Sequence, residues 1–170
     1  FELYLQFDSF KPDVLKRLRG EDLTAVRRKA IDHLNEFNLS TTLVVTVEKG
    51  VNDDEIGAII DYAMKQRCVR GVTFQPVQAA GRTEQYDPAT DRITLTEVRQ
   101  GILDQCPVFT PEDIVPVPCN PDALAMGYAL KLNGEVFPLT RMIDPDDLLN
   151  NSRNTIVYEQ DARLKEHMVK

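Results

Sequence analysis

Hydrophobic and polar positions alternate from the first residues of the chain, with Leu3, Leu5 and Phe7 on one side of an extended segment and Tyr4 and Gln6 on the other. That period of two predicts a strand buried on at least one face, ended by Asp8-Ser9. Beyond Pro12 the period lengthens. Val14, Leu15 and Leu18 predict a short helix that stops at Gly20. Leu23, Val26, Ala30, Ile31 and Leu34 then share one face at helical spacing, with Arg27, Arg28 and Lys29 on the outer side, and Asn38 closes the segment. Thr41 to Val47 is β-branched and almost continuously apolar. Such a run is expected of a parallel strand covered on both faces.

Gly50 to Glu55 predicts a turn into the next helix, with Asn52 as N-cap and Glu55, three residues on, completing a capping box. Ile56, Ile59, Ile60 and Ala63 supply the buried stripe of that helix. Val69 to Phe74 predicts a third strand, ended by Gln75-Pro76, and the polar stretch from Gln78 to Asp91 reads as a loop. Thr94 and Glu97 repeat the capping-box spacing ahead of a helix through Val98, Ile102 and Leu103. Thr110-Pro111 opens another short helix, since proline is tolerated at the first helical position. After Pro116 the pattern changes: Tyr128 to Leu132 and Glu135 to Leu139 flank Asn133-Gly134, a strong hairpin signal. Asp144 to Leu149 predicts a helical turn, and Arg163 to Lys170 a frayed tail.

Strands alternating with helices over short connections imply right-handed βαβ units and a parallel sheet. Ligands of such sheets sit beyond the carboxyl ends of the strands. That rule selects Gln6, Asp8 and Ser9 after the first strand, Thr46, Lys49 and Asn52 after the second, and Gln75, Pro76 and Gln78 after the third. Each also has a plain structural role open to it: Asp8 as a cap of the following turn, Asn52 as a helix cap, Lys49 as a solvated loop charge.

The 170 residues, 42% hydrophobic and 28% charged, suffice for one substantial core. A net charge of −7, from 20 basic against 27 acidic side chains, opposes broad contact with nucleic acid or an anionic membrane. No apolar run approaches the ~20 residues of a membrane span, and the expected compartment is the cytoplasm. The chain opens without an initiator Met and enters strand alternation at once, which predicts a piece cut from a longer protein. Cys68, Cys106 and Cys119 are too widely spaced to form a disulfide framework or a C-x-x-C metal site. His33 and His167 are isolated from each other and form no pair.

Three elements in order carry a family resemblance: Tyr4-Leu5-Gln6-Phe7-Asp8-Ser9; Thr42 to Lys49 running into Gly50-Val51-Asn52-Asp53-Asp54-Glu55-Ile56; and Gly71-Val72-Thr73-Phe74-Gln75-Pro76. Together they resemble the later strands of a radical S-adenosylmethionine (radical SAM) barrel, over about Phe1 to Leu139. The Lys49 to Ile56 element is similar to one in the molybdenum-cofactor GTP cyclase branch. The opening is nearer the branch of tetraether lipid synthase and pterin methyltransferase.

The resemblance implies an α/β fold: a partial, half TIM-type barrel of parallel βαβ units over residues 1–115, with a C-terminal extension, hairpin and tail over residues 116–170. It also implies a parent enzyme that uses S-adenosylmethionine and a [4Fe–4S] cluster bound by Cys-x-x-x-Cys-x-x-Cys to generate a 5′-deoxyadenosyl radical, which takes a hydrogen atom from a small-molecule or lipid substrate. That cysteine motif does not occur in these 170 residues, so the chain alone is expected to carry no cluster and no activity. By position, Gln6 and Asp8 would lie beside the S-adenosylmethionine ribose and amino acid moiety. Thr46, Lys49 and Asn52 would meet the methionine carboxylate or ribose, and Gln75 and Pro76 the adenine. In the tetraether-synthase branch C-terminal cysteines hold additional clusters, but Ala123 stands where a partner for Cys119 would be needed, and Cys119 reads as a small buried apolar residue, as do Cys68 and Cys106.

A barrel opened after its third strand leaves a sheet edge and an apolar face uncovered, which predicts self-association about a two-fold axis. Two other readings compete. One is a complete non-catalytic α/β binding or interaction module. The other is a small flavodoxin-like phosphate-binding protein, which would want a Gly-rich loop where Asp8-Ser9-Phe10-Lys11-Pro12 stands.

Overall fold

The computed structural model describes residues 2–78, 86–117, 120 and 123–147. It divides into two compact units, Phe1–Cys106 and Pro107–Lys170.

The first unit is built on three parallel strands, β1 (Leu3–Gln6), β2 (Thr41–Val47) and β3 (Val69–Pro76), in the order β1-β2-β3. Helices α1 (Pro12–Arg19) and α2 (Thr24–Glu36) connect β1 to β2, and α3 (Ile56–Lys65) connects β2 to β3. Because βαβ crossovers are right-handed, a sheet whose spatial order follows its sequence order puts both connections on the same face. That is the arrangement of a barrel wall, and it differs from a doubly wound sheet, whose strand order reverses. The sheet is an open three-stranded segment of such a wall. α4 (Leu95–Gln105) follows β3 and packs on α3.

Strand β2 is central, and its β-branched run is buried from Thr41 to Val45 and again at Val47. Leu43, Val45, Ile56 and Ile59 are among the least exposed side chains of the chain, so the predicted stripe of α3 faces the core. Gly57 lies on this helix where α4 comes close: a Cβ there would stand 2.4 Å from the Gln105 carbonyl oxygen. The Gln105 side chain uses that proximity, accepting from the Gly57 N–H at 3.0 Å and donating to the Asp53 carbonyl at 2.7 Å. α4 begins with the expected capping box, in which Thr94 Oγ1 accepts from the Glu97 N–H and the Glu97 carboxylate accepts from the Thr94 N–H.

Several expectations are corrected. Val26 is 66% exposed, whereas Arg27 is buried, so the inner face of α2 is rotated toward Arg27 and Ile31. The reason is a buried carboxylate that draws the guanidinium inward. β3 continues through Gln75 and Pro76, which pair with Thr46 and Val47. Asn52 makes no side-chain cap to the 3₁₀ turn that follows it, Asp53–Glu55. Cys68 and Cys106 are buried, as small apolar residues are, and His33 is exposed on α2.

Among its described residues the second unit holds two antiparallel ribbons. β4 (Ile114–Pro116) pairs with β5 (Ala125–Gly127), a short sheet that the sequence pattern did not predict. β6 (Ala129–Leu132) pairs with β7 (Glu135–Pro138) through Asn133 and Gly134, both at positive φ (52° and 87°), as a two-residue type I′ hairpin requires. The predicted helix at Thr110-Pro111 is a single 3₁₀ turn, Pro111–Asp113. Its buried Asp113 carboxylate accepts from the Thr110 N–H at 2.6 Å and from the Thr140 hydroxyl. Burial pushes the Asp113 carboxyl up, but the bonds from Thr140 and Thr110 outweigh it and hold the group below its ordinary range. Cys119, His167, the frayed tail and the end of the helical turn predicted at Asp144–Leu149 lie outside the described residues.

Candidate functional site

The two faces of the parallel sheet differ in chemistry. Register pairs Leu5 with Leu43 and Val72, then Val45 with Phe74 and Val47 with Pro76, so these rungs form an apolar face. The alternate rungs pair Gln6 with Val44 and Thr73, and Thr46 with Gln75. The second face therefore becomes polar toward the carboxyl ends of the strands. Thr73 and Gln75 are exposed on it, and Gln6 and Thr46 are half-buried.

Asp8 is the centre of this edge. The chain turns out of β1 with Asp8 at φ 60°, a left-handed conformation that Asp adopts more readily than most residues. Its carboxylate is fully buried. Oδ1 accepts from Gln6 Nε2 at 2.7 Å, Arg19 Nη2 at 2.9 Å and the Thr46 N–H at 3.0 Å. Oδ2 accepts from Arg19 Nε and from Arg27 Nη2, both at 2.8 Å. Burial pushes the carboxyl up, but the bonds from Arg19, Thr46 and Gln6, with the Arg19 charge, overcome it and hold the group at about 2. Arg19 in turn is raised by its hydrogen bond to Asp8, whereas burial lowers Arg27. Asp8 is thus an ion-pair hub and not a cap of the next turn. Neither arginine was among the residues singled out from sequence; the signal for Arg27 was its place in line with Ile31 on α2.

Asn52, also fully buried, ties the strand exits together through their backbones. Its Nδ2 donates to the carbonyls of Asp8 at 2.9 Å and Thr46 at 2.8 Å, and its Oδ1 accepts from the Glu48 N–H at 2.8 Å. Glu55, the expected second half of a capping box, instead accepts from the Ser9 hydroxyl and, at 3.1 Å, from the Phe10 N–H. Both residues hold the loop after β1 against the loop after β2.

The remaining sequence-selected residues divide by position. Thr46 Oγ1 accepts from Arg19 Nη2 at 2.8 Å and from Gln6 Nε2 at 3.3 Å, which brings Gln6, Asp8 and Thr46 into one cluster. Gln75 joins the same face through its register with Thr46. Lys49 does not join it: its ammonium pairs with Glu97 at the start of α4 at 2.7 Å. Pro76 belongs to the apolar rung with Val47, and the Val77 N–H donates to the Val47 carbonyl at 2.9 Å. Gln78 is exposed after β3.

Among the described residues no group of three or more His, Cys, Asp or Glu side chains is placed to hold a metal ion. No described helix is long and apolar enough to cross a membrane.

No family model matches the chain. Among curated proteins, the chain is similar to the 7,8-dihydro-6-hydroxymethylpterin dimethyltransferase of Methanocaldococcus jannaschii, at 30% identity over 193 residues. The alignment takes in 99% of this chain but 38% of that protein, so the chain spans well under half the length of its relative.

Proposed function

We propose that this chain is part of a radical S-adenosylmethionine enzyme and that the carboxyl-terminal edge of its parallel sheet builds one wall of the S-adenosylmethionine site. The observation that carries this reading is the register of the polar face: Gln6, Thr46 and Gln75, from three successive parallel strands, stand together where ligands of such sheets bind. The resemblance of the three strand-exit sequences to radical SAM barrels supports it. So does the near-complete alignment of the chain with part of a pterin dimethyltransferase.

S-adenosylmethionine, when bound, supplies the 5′-deoxyadenosyl group with which such an enzyme takes a hydrogen atom from a small-molecule substrate. It presents adenine, ribose and amino acid groups over a length that needs several spaced donors and acceptors. In this reading the exposed amide of Gln75 and the half-buried Gln6 and Thr46 provide them, with the backbone beyond Pro76. Asp8 and Asn52 act by position, since their polar atoms are already spent on protein groups. A [4Fe–4S] cluster does not fit the described residues: Cys68 and Cys106 are separately buried and no third ligand joins them.

The test is made on the full-length protein that contains this chain, purified without oxygen and supplied with S-adenosylmethionine and a reductant. Formation of 5′-deoxyadenosine is the expected result. Absence of both that product and S-adenosylmethionine binding would remove the proposal in favour of a non-catalytic α/β module.

A further inference from the structure

We propose that Glu2 and Tyr4 recognise the substrate on the polar face of the sheet, nearer the strand starts than the S-adenosylmethionine edge, and that the group they take is a flat heterocycle presenting two adjacent N–H donors, as a fused aminopyrimidinone does. This rests on the reading of the strand exits as the cofactor wall.

Register fixes the place. Tyr4 pairs with Thr42 and Thr42 with Gly71, on the same face as the line of Gln6, Val44 and Thr73 and next to it. Side chains two positions apart on a strand stand about 7 Å from each other on one face, so a ring beside Tyr4 lies within reach of a ligand held at Gln6. The middle of the face is low: Thr42 and Val44 are buried and Gly71 has no side chain. On β1, Tyr4 is 69% exposed and its hydroxyl has no partner among the described residues. On β3, Thr73 is exposed across from it.

The carboxylate is held on this face by the sheet. The Thr42 hydroxyl donates to Glu2 Oε1. A Cβ at position 71 would stand 3.0 Å from Thr42 Oγ1, so the glycine there leaves that hydroxyl room to reach Glu2. Glu2 Oε2 has no partner among the described residues, and no described cation neutralises the group. An oriented, unneutralised carboxylate beside an exposed aromatic face repels anions. It suits a ligand that is flat, apolar on its faces and rich in N–H donors along one edge. The ring stacks on Tyr4 while the edge meets Glu2 through two parallel N–H···O bonds, the fork geometry that carboxylates accept best.

The experiment uses the full-length protein that contains this chain, without oxygen and with S-adenosylmethionine present. Binding of two fluorescent probes is compared: 2-amino-4-oxopteridine, which has the two-donor edge, and 2,4-dioxopteridine, which has the same shape but turns a carbonyl oxygen toward the carboxylate. The amino compound is expected to bind saturably and about tenfold more tightly, the worth of one good hydrogen bond. Glu2→Gln should abolish that preference without weakening S-adenosylmethionine binding, and Tyr4→Leu should weaken both probes. Should Tyr4→Leu fail to fold, Glu2→Gln with the probe pair still decides. Equal affinity for the two probes, no saturable binding of either, or a preference retained in Glu2→Gln would overturn the proposal. A preference that depends on Glu2 in a protein that does not bind S-adenosylmethionine would leave the heterocycle subsite standing and reject the cofactor reading alone.

Discussion

Asn52 Nδ2 lies 2.9 Å from the carbonyl oxygen of Asp8, a hydrogen bond that spans 44 positions of sequence and fastens the exit of β1 to the exit of β2. The same amide group reaches the Thr46 carbonyl, and its oxygen receives the Glu48 N–H. Truncation to Ala leaves buried backbone groups unpaired, each costing ~1–3 kcal/mol. Asn52→Ala is expected to destabilise the chain by about 2–4 kcal/mol in urea unfolding. Asn52→Asp, which keeps the acceptor and loses the donor, should also be destabilising.

Asp8 predicts an acid-labile fold. Its carboxyl stands at about 2 in the folded chain against an ordinary 3.8, so the unfolded chain binds the proton more readily. The stability this provides is full above pH 3.8 and is lost as pH falls from there through 2. The difference corresponds to roughly 2 kcal/mol. Urea midpoints measured between pH 2 and 6 should fall across that window in the wild type. Asp8→Asn, which leaves the buried Arg27 and the part-exposed Arg19 against a neutral amide, should be less stable by about 3–5 kcal/mol at pH 6 and show a flatter acid limb.

Gly57→Ala tests the packing of α3 on α4. The added methyl would stand 2.4 to 2.8 Å from three atoms of Gln105, two of them backbone, so the helices must separate. Overpacking of this kind costs ~1–3 kcal/mol. A lowered thermal midpoint is expected, with the polar edge of the sheet unchanged by NMR.

The elements were legible in sequence wherever local chemistry decided them. Thr41 to Val47 is a strand because its β-branched run has no other comfortable geometry, and the observed bounds agree. The Ile56, Ile59, Ile60 and Ala63 stripe, the Thr94 capping box and the Asn133-Gly134 turn are local in the same sense. What sequence missed was decided across long separations. A period-based reading puts every arginine of α2 outside, and only the carboxylate of Asp8, 19 positions earlier, explains why Arg27 turns inward and Val26 outward. Asn52 and Glu55 have the spacing of a capping box, yet both are drawn to the loop after β1. Of the candidate site, Gln6, Asp8, Thr46 and Gln75 are brought together as the strand-exit rule implies, while Lys49 is held away by Glu97 and Arg19 was not visible at all.

The central claim is that the polar face at the strand exits meets S-adenosylmethionine, and Gln75 tests it most directly because its exposed side chain supports no described hydrogen bond of the fold. Equilibrium binding of S-adenosylmethionine to the full-length protein should weaken by roughly tenfold in Gln75→Ala, about one good hydrogen bond, with the melting temperature unchanged. Affinity equal to that of the wild type would contradict the account.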